Sequence, residues 1–163
     1  MNRAILMLLC LWAFSAKGQD QANYQLLTSL EQVNEQLALA TEEILLATTF
    51  LHNESLADAL REALTTRGVP VYLLVPQSSV QENASYATSL AYAGAQVRLS
   101  EVGGSFLVID RRMTLAGDLI GALPTGEEGP TIFVDDEGYA IQFVEGFIEG
   151  FDSADVFNPN GEE

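Results

Sequence analysis

Few side chains in this sequence can attack, protonate or hold a substrate, and their positions limit the chemistry available. The only histidine is His52 and the only lysine is Lys17. Gly103-Gly104 stand ahead of an apolar run that ends at Asp110, Arg111 and Arg112 follow it, and a second apolar run leads to Gly117 and Asp118. Histidine is the side chain whose charge changes near neutral pH, which suits it to nucleophilic or acid–base work. His52 follows a predicted strand, at the C-terminal strand edge where α/β proteins place ligand contacts. A lone histidine just before a helix is more often a solvated or capping residue. Paired glycines can turn backbone N–H groups toward an anion, but they usually mark a turn. The sole cysteine, Cys10, sits in an N-terminal apolar run between Leu9 and Leu11, so it leaves with a leader. The mature chain then has no disulfide, thiolate metal site or cysteine nucleophile.

The elements that must position these residues follow from periodicity. Leu26, Leu30, Val33 and Leu37 recur at helical steps and predict one long helix over 20–42 with a single apolar face. Residues 43–51 form a continuous apolar and β-branched run of strand length, the kind buried on both faces. Asn53 and Ser55 offer caps for a helix carrying Leu56, Leu60, Ala63 and Leu64, closed by Gly68. A buried strand is expected over 70–76, then a helix from a Ser79–Glu82 capping box to Gly94, then a short strand over 96–99. This alternation predicts an α/β domain with a largely parallel, mixed sheet flanked by helices on both faces. Two short apolar runs around the polar Asp110-Arg111-Arg112 turn predict a hairpin at the middle or far side of that sheet. Residues 121–130 read as an exposed loop and 131–134 as a last strand. The acids of 135–137 suit the start of a helix better than a calcium loop, because they do not alternate as calcium ligands do. That helix carries a core stripe of Phe143, Phe147 and Phe151, with Val144 and Ile148 beside it.

Ile44-Leu45-Leu46-Ala47 before a helix, Arg67-Gly68-Val69-Pro70-Val71, Ala93-Gly94-Ala95 before Gln96-Val97, and Phe106-Leu107-Val108-Ile109-Asp110 together resemble a single-repeat member of the phospholipase D-like superfamily. The active family reads His-x-Lys, four residues, Asp, six residues, Gly-Ser-x-Asn in its hairpin. The spacing carries over without a gap: Asp110 falls on the aspartate and Gly117 on the glycine. Gly103 stands where the histidine belongs, Ser105 replaces the lysine, Asp118 the serine and Ile120 the asparagine. The resemblance implies a phosphodiesterase fold in which histidine attacks phosphorus, a second histidine protonates the leaving group, and lysine and asparagine hold the phosphate oxygens. Glycine supplies no nucleophile, serine no cation, and a carboxylate at 118 repels phosphate. The expectation is therefore a catalytically inactive domain used for binding or structure. The alternative is a phospholipase D-type phosphodiesterase with a displaced site built from His52 and Asp110 across a homodimer, since single-repeat members of the family pair. A third reading is another secreted α/β domain in which the spacing is coincidental.

The 163 residues hold 23 acids against seven bases, a formal charge of −16, which repels phosphate backbones and makes nucleic acid a poor partner. Arg3, the apolar run 4–14 and the small residues after it predict a signal peptide over 1–18, cut after Ser15 or Gly18, and hence a secreted or periplasmic protein. A single domain over 19–152 follows, then a flexible tail over 153–163, with no transmembrane segment in the mature chain. The sequons at Asn53 and Asn83 are given no role. No cofactor or metal is expected, and the partner is a second copy or an unidentified protein or small molecule.

Overall fold

The computed structural model describes residues 23–81, 85–121 and 129–161. The expected leader with Cys10, the Asn83 sequon, Glu82 of the capping box and most of the 121–130 loop lie outside these residues. The elements run β1 (Asn23–Leu27), α1 (Leu30–Leu37), β2 (Ile44–Ala47), α2 (Glu54–Thr65), β3 (Val71–Val75), α3 (Gln77–Gln81) and α4 (Ala87–Tyr92). They continue with β4 (Gln96–Leu99), β5 (Phe106–Ile109), β6 (Met113–Gly117), α5 (Asp118–Gly121), β7 (Thr131–Asp135), α6 (Glu137–Ser153) and β8 (Asp155–Val156).

These strands form one mixed sheet in the order β1-β7-β6-β5-β2-β3-β4-β8. The α/β class and the mixed sheet with helices on both faces are as expected, but the sheet is not largely parallel: parallel pairing is confined to β2-β3-β4, and the other five strand pairs run antiparallel. The hairpin β5–β6 lies in the middle, where β5 runs antiparallel to β2 in the register Ile44↔Ile109 to Ala47↔Phe106. Strand periodicity divides the core. Ile44, Leu46, Leu73, Leu107, Ile109 and Leu115 point to the face covered by α1, α2 and the shorter helices. Leu45, Ala47, Leu74 and Val108 point to the other, where α6 lays down Ala140, Val144, Phe147 and Phe151. Because both faces are covered, β2 is buried at every position, which is why its sequence is apolar without alternation.

Four expectations need correction. The long first helix is instead β1 followed by the short α1. Ser29 caps α1 by accepting the Gln32 N–H at 3.4 Å, while Gln32 Oε1 accepts the Thr28 N–H at 2.8 Å. That capping-box exchange ends the extended segment, and pairing with β7 makes it a strand. The single helix expected from Ser79 to Gly94 is two pieces, α3 and α4, and Ser79 is buried, donating to the Thr49 carbonyl at 3.0 Å rather than capping. Ile148 is exposed and takes no part in the phenylalanine stripe. The segment 153–163 is also tied down in part: β8 pairs with β4. Arg98 supports it by donating to the Ala154 carbonyl at 3.1 Å while its guanidinium lies 5.1 Å from the Phe151 ring centre. Asn53 caps α2 by accepting the Leu56 N–H at 3.2 Å, and Asp136 caps α6 by accepting the Tyr139 N–H at 2.6 Å.

The far end of the central hairpin is held by one side chain. Asp110 and Arg111 both adopt left-handed backbone conformations, φ 52° and 53°, and the Arg112 N–H closes the turn on the Ile109 carbonyl at 3.0 Å. Such conformations disfavour residues with a Cβ, by about 1–2 kcal/mol each, although aspartate tolerates them better than most. The Asp110 carboxylate offsets this. It accepts the Thr41 N–H (2.9 Å) and hydroxyl (2.9 Å), the Glu42 N–H (2.8 Å) and the Glu43 N–H (3.0 Å), all in the segment entering β2. Arg111 pairs with Glu43 at 2.5 Å, and Arg112 with Asp135 through two hydrogen bonds at 2.6 and 3.0 Å. These exposed ion pairs contribute little beside it.

Replacing the carboxylate leaves three backbone N–H groups without their acceptor, so Asp110→Ala is expected to lower unfolding free energy by about 1–3 kcal/mol in a urea titration. Partial burial pushes the Asp110 pKa up, but the hydrogen bonds from Glu42, Glu43 and Thr41 outweigh it and hold the carboxyl below its ordinary value. A group with a depressed folded-state pKa contributes stability that is complete above the unfolded value and lost as pH falls through the folded one. The stability gap between the parent and Asp110→Ala is therefore expected to be full at neutral pH and to narrow below about pH 4. A gap that stays constant down to pH 2 contradicts this role.

Candidate functional site

The antiparallel seating of β5 on β2 decides which motif positions meet. Ala47, at the end of β2, lies opposite Phe106, at the start of β5. Phe106 lies opposite Ala116, and Gly117 opposite Thr131. One sheet edge therefore gathers the 48–52 loop, Gly103-Gly104-Ser105, Gly117 to Ile120 and the start of β7. Asp110 sits at the other edge, the length of β5 away, about 13 Å for four residues. The structure thus brings His52 to the edge that holds Gly103 and Ser105, and in a single chain it keeps His52 and Asp110 apart.

At the gathered edge, Ser105, Gly117 and Ile120 have structural roles, while Gly103 is exposed with nothing within 4 Å of where a Cβ would lie. The Ser105 and Thr48 hydroxyls lie 3.1 Å apart, and Thr48 donates to the Phe50 carbonyl at 2.8 Å. Gly121 closes over this pair: a Cβ there would come within 1.9 Å of Ser105 Oγ and 2.5 Å of Thr48 Oγ1. The serine at the lysine position thus ends in a small knot of hydroxyls. Ile120 is buried in the core on the face of α1 and α2. Gly117 has φ 149°, and a Cβ on it would sit 2.6 Å from the Pro130 carbonyl oxygen and 2.7 Å from Thr131 Cα. Only glycine lets β6 pass β7 so closely. Beyond it, the Leu119 N–H donates to buried Thr131 Oγ1 at 3.2 Å. Asp118 is exposed at the start of α5, with its carboxylate against Gly129, where a Cβ would lie 2.1 Å from Oδ2. His52 is half-buried and stacks on Phe50, with ring centres 4.4 Å apart and 14° between planes, one residue ahead of the α2 cap Asn53.

Sequence reasoning missed a cleft of about 380 Å³ between α6 and the loop joining β4 to β5. Gly103 and Gly104 form part of its wall, with Ala47, Leu74, Phe106 and Phe143 giving it an apolar lining. Glu101 is the one titratable side chain among the described residues that line it. Gly146 and Gly150, four residues apart on α6, were the sequence signal available. Among the described residues no three histidine, cysteine or acidic side chains cluster as metal ligands, and no helix is long and apolar enough to cross a membrane.

No family model matches the sequence, and no curated protein matches it. Solved structures do match. The chain is similar to Nuc, a phospholipase D family member from Salmonella typhimurium, at 15% identity and a TM-score of 0.73, covering 85% of this chain and 99% of that one. It is similar to NucT from Helicobacter pylori at 14% identity and a TM-score of 0.73, covering 84% and 100%. A third likeness is to TrmBL2, an archaeal chromatin protein described as having a novel mode of DNA binding, at 21% identity and a TM-score of 0.64, covering 94% of this chain and 62% of that one. The likenesses to Nuc and NucT show that this chain has the phospholipase D-like fold.

Proposed function

We propose that this protein is an exported phospholipase D-like domain that has no phosphodiesterase activity and serves as a binding or structural module. The observation that carries the reading is the occupation of the motif positions. Gly103 offers no nucleophile, Ser105 is engaged with Thr48, and Ile120 is turned into the core. Phosphoryl transfer needs a nucleophile in line with phosphorus and cations or donors aimed at the developing charge. Here the exposed charged groups at this edge are the Glu101 and Asp118 carboxylates, which oppose an anion. The charge of −16 works in the same direction and keeps nucleic acid out of the proposal, although the archaeal neighbour binds DNA. Export rests on the leader-like residues 1–18.

A residual activity is the second reading, and what favours it is the place of His52 at the same sheet edge as Gly103. Two copies facing each other across that edge would supply two histidines.

The purified mature chain is expected to hydrolyse bis-nitrophenyl phosphate no faster than buffer across pH 5–9, and His52→Ala is expected to leave that baseline unchanged. Turnover that disappears in His52→Ala supports the displaced site instead. Sedimentation of the same preparation tests the homodimer.

A further inference from the structure

The cleft beside Gly103 is built as a site for something other than an anion. Its lining is mainly apolar, it has three aromatic rings at Phe106, Phe143 and Phe147, with the Phe106 and Phe143 centres 5.2 Å apart, and it lies at the strand ends where α/β sheets take ligands. Among the described residues no lysine, arginine or histidine lines it, and Glu101 is its only titratable group. An acid at the wall, aromatic faces and an acidic protein together favour a cation with an apolar body and disfavour a carboxylate or phosphate. The helix side carries an independent sign. Gly150 has a packing reason to be glycine, because a Cβ there would press on Leu74 at 3.1 Å. Gly146 has none: a Cβ there would meet nothing within 4 Å. Glycine inside a helix is destabilising relative to alanine, so α6 gives up helix stability at a position on the wall of this cleft.

We propose that the cleft binds a small organic cation, an amine carried on an alkyl or aromatic body. This deepens the reading above and rests on it, because the cleft opens beside the position where an active relative would attack phosphate.

Titration calorimetry with phenylbutylamine, phenylbutanol and phenylbutyrate tests it. The expected result is saturable one-to-one binding, with the amine roughly tenfold or more tighter than the carboxylate. Glu101→Gln is expected to weaken the amine by about two- to fivefold, as for a solvent-exposed ion pair, and leave the alcohol unchanged. Gly146→Leu is expected to abolish binding of both. Gly146→Ala, which gains helix propensity, is expected to melt no lower than the parent and bind several times more weakly, so it carries the test if the leucine variant does not fold. Equal affinity for the carboxylate, or unchanged binding in both Gly146 variants, overturns the proposal. So does a Gly146→Ala variant that bridges a change from dimer to monomer while neither protein binds amine, which makes a second copy the occupant. Absent amine binding with absent hydrolysis removes the ligand class alone, whereas hydrolysis of bis-nitrophenyl phosphate removes the reading beneath it.

Discussion

One carboxylate fixes where the central hairpin sits. Asp110 takes hydrogen bonds from three successive backbone N–H groups, at Thr41, Glu42 and Glu43, immediately before β2 begins. It thereby pins the register that sets Ile109 opposite Ile44. A slip of one residue would invert the two faces of β5, sending Leu107 and Ile109 to the α6 side and Val108 to the other. The grouping at the opposite edge, which brings Ser105 to Thr48 and Gly117 to Thr131, depends on that register. Asp110 is thus a structural latch at the end of the hairpin remote from the gathered edge.

At the gathered edge the residues are held by close packing. Gly117 is required by the close passage of β6 over β7, whatever the site does. Beside it lie a hydroxyl pair closed by Gly121, a buried isoleucine and an exposed carboxylate seated against Gly129. What is open at this edge is the cleft under α6, and its walls are apolar and acidic rather than cationic. Recognition and turnover are separable on one scaffold, since function resides in the site and not in the fold.

Much of this was legible in the sequence because it rests on local spacing. The apolar runs around Asp110 gave the hairpin, the six-residue gap gave Gly117, and the unalternating apolar stretch gave β2. The first strand was not legible in the same way. Leu26 continues the helical spacing of Leu30, Val33 and Leu37, and only the Ser29–Gln32 capping box and the distant partner β7 show that the helix starts later. The cleft was illegible for a related reason. It arises between α6 and a loop far from it in sequence, and its clearest sign, a mid-helix glycine with empty space beside it, becomes informative only once the neighbours are placed.

The central claim is that no residue of this chain takes a phosphoryl group. Intact-mass spectrometry after incubation with an activated phosphodiester, quenched at times from seconds to hours, measures that directly. The account predicts an unmodified mass throughout. A covalent phosphoryl adduct that maps to His52 would contradict it.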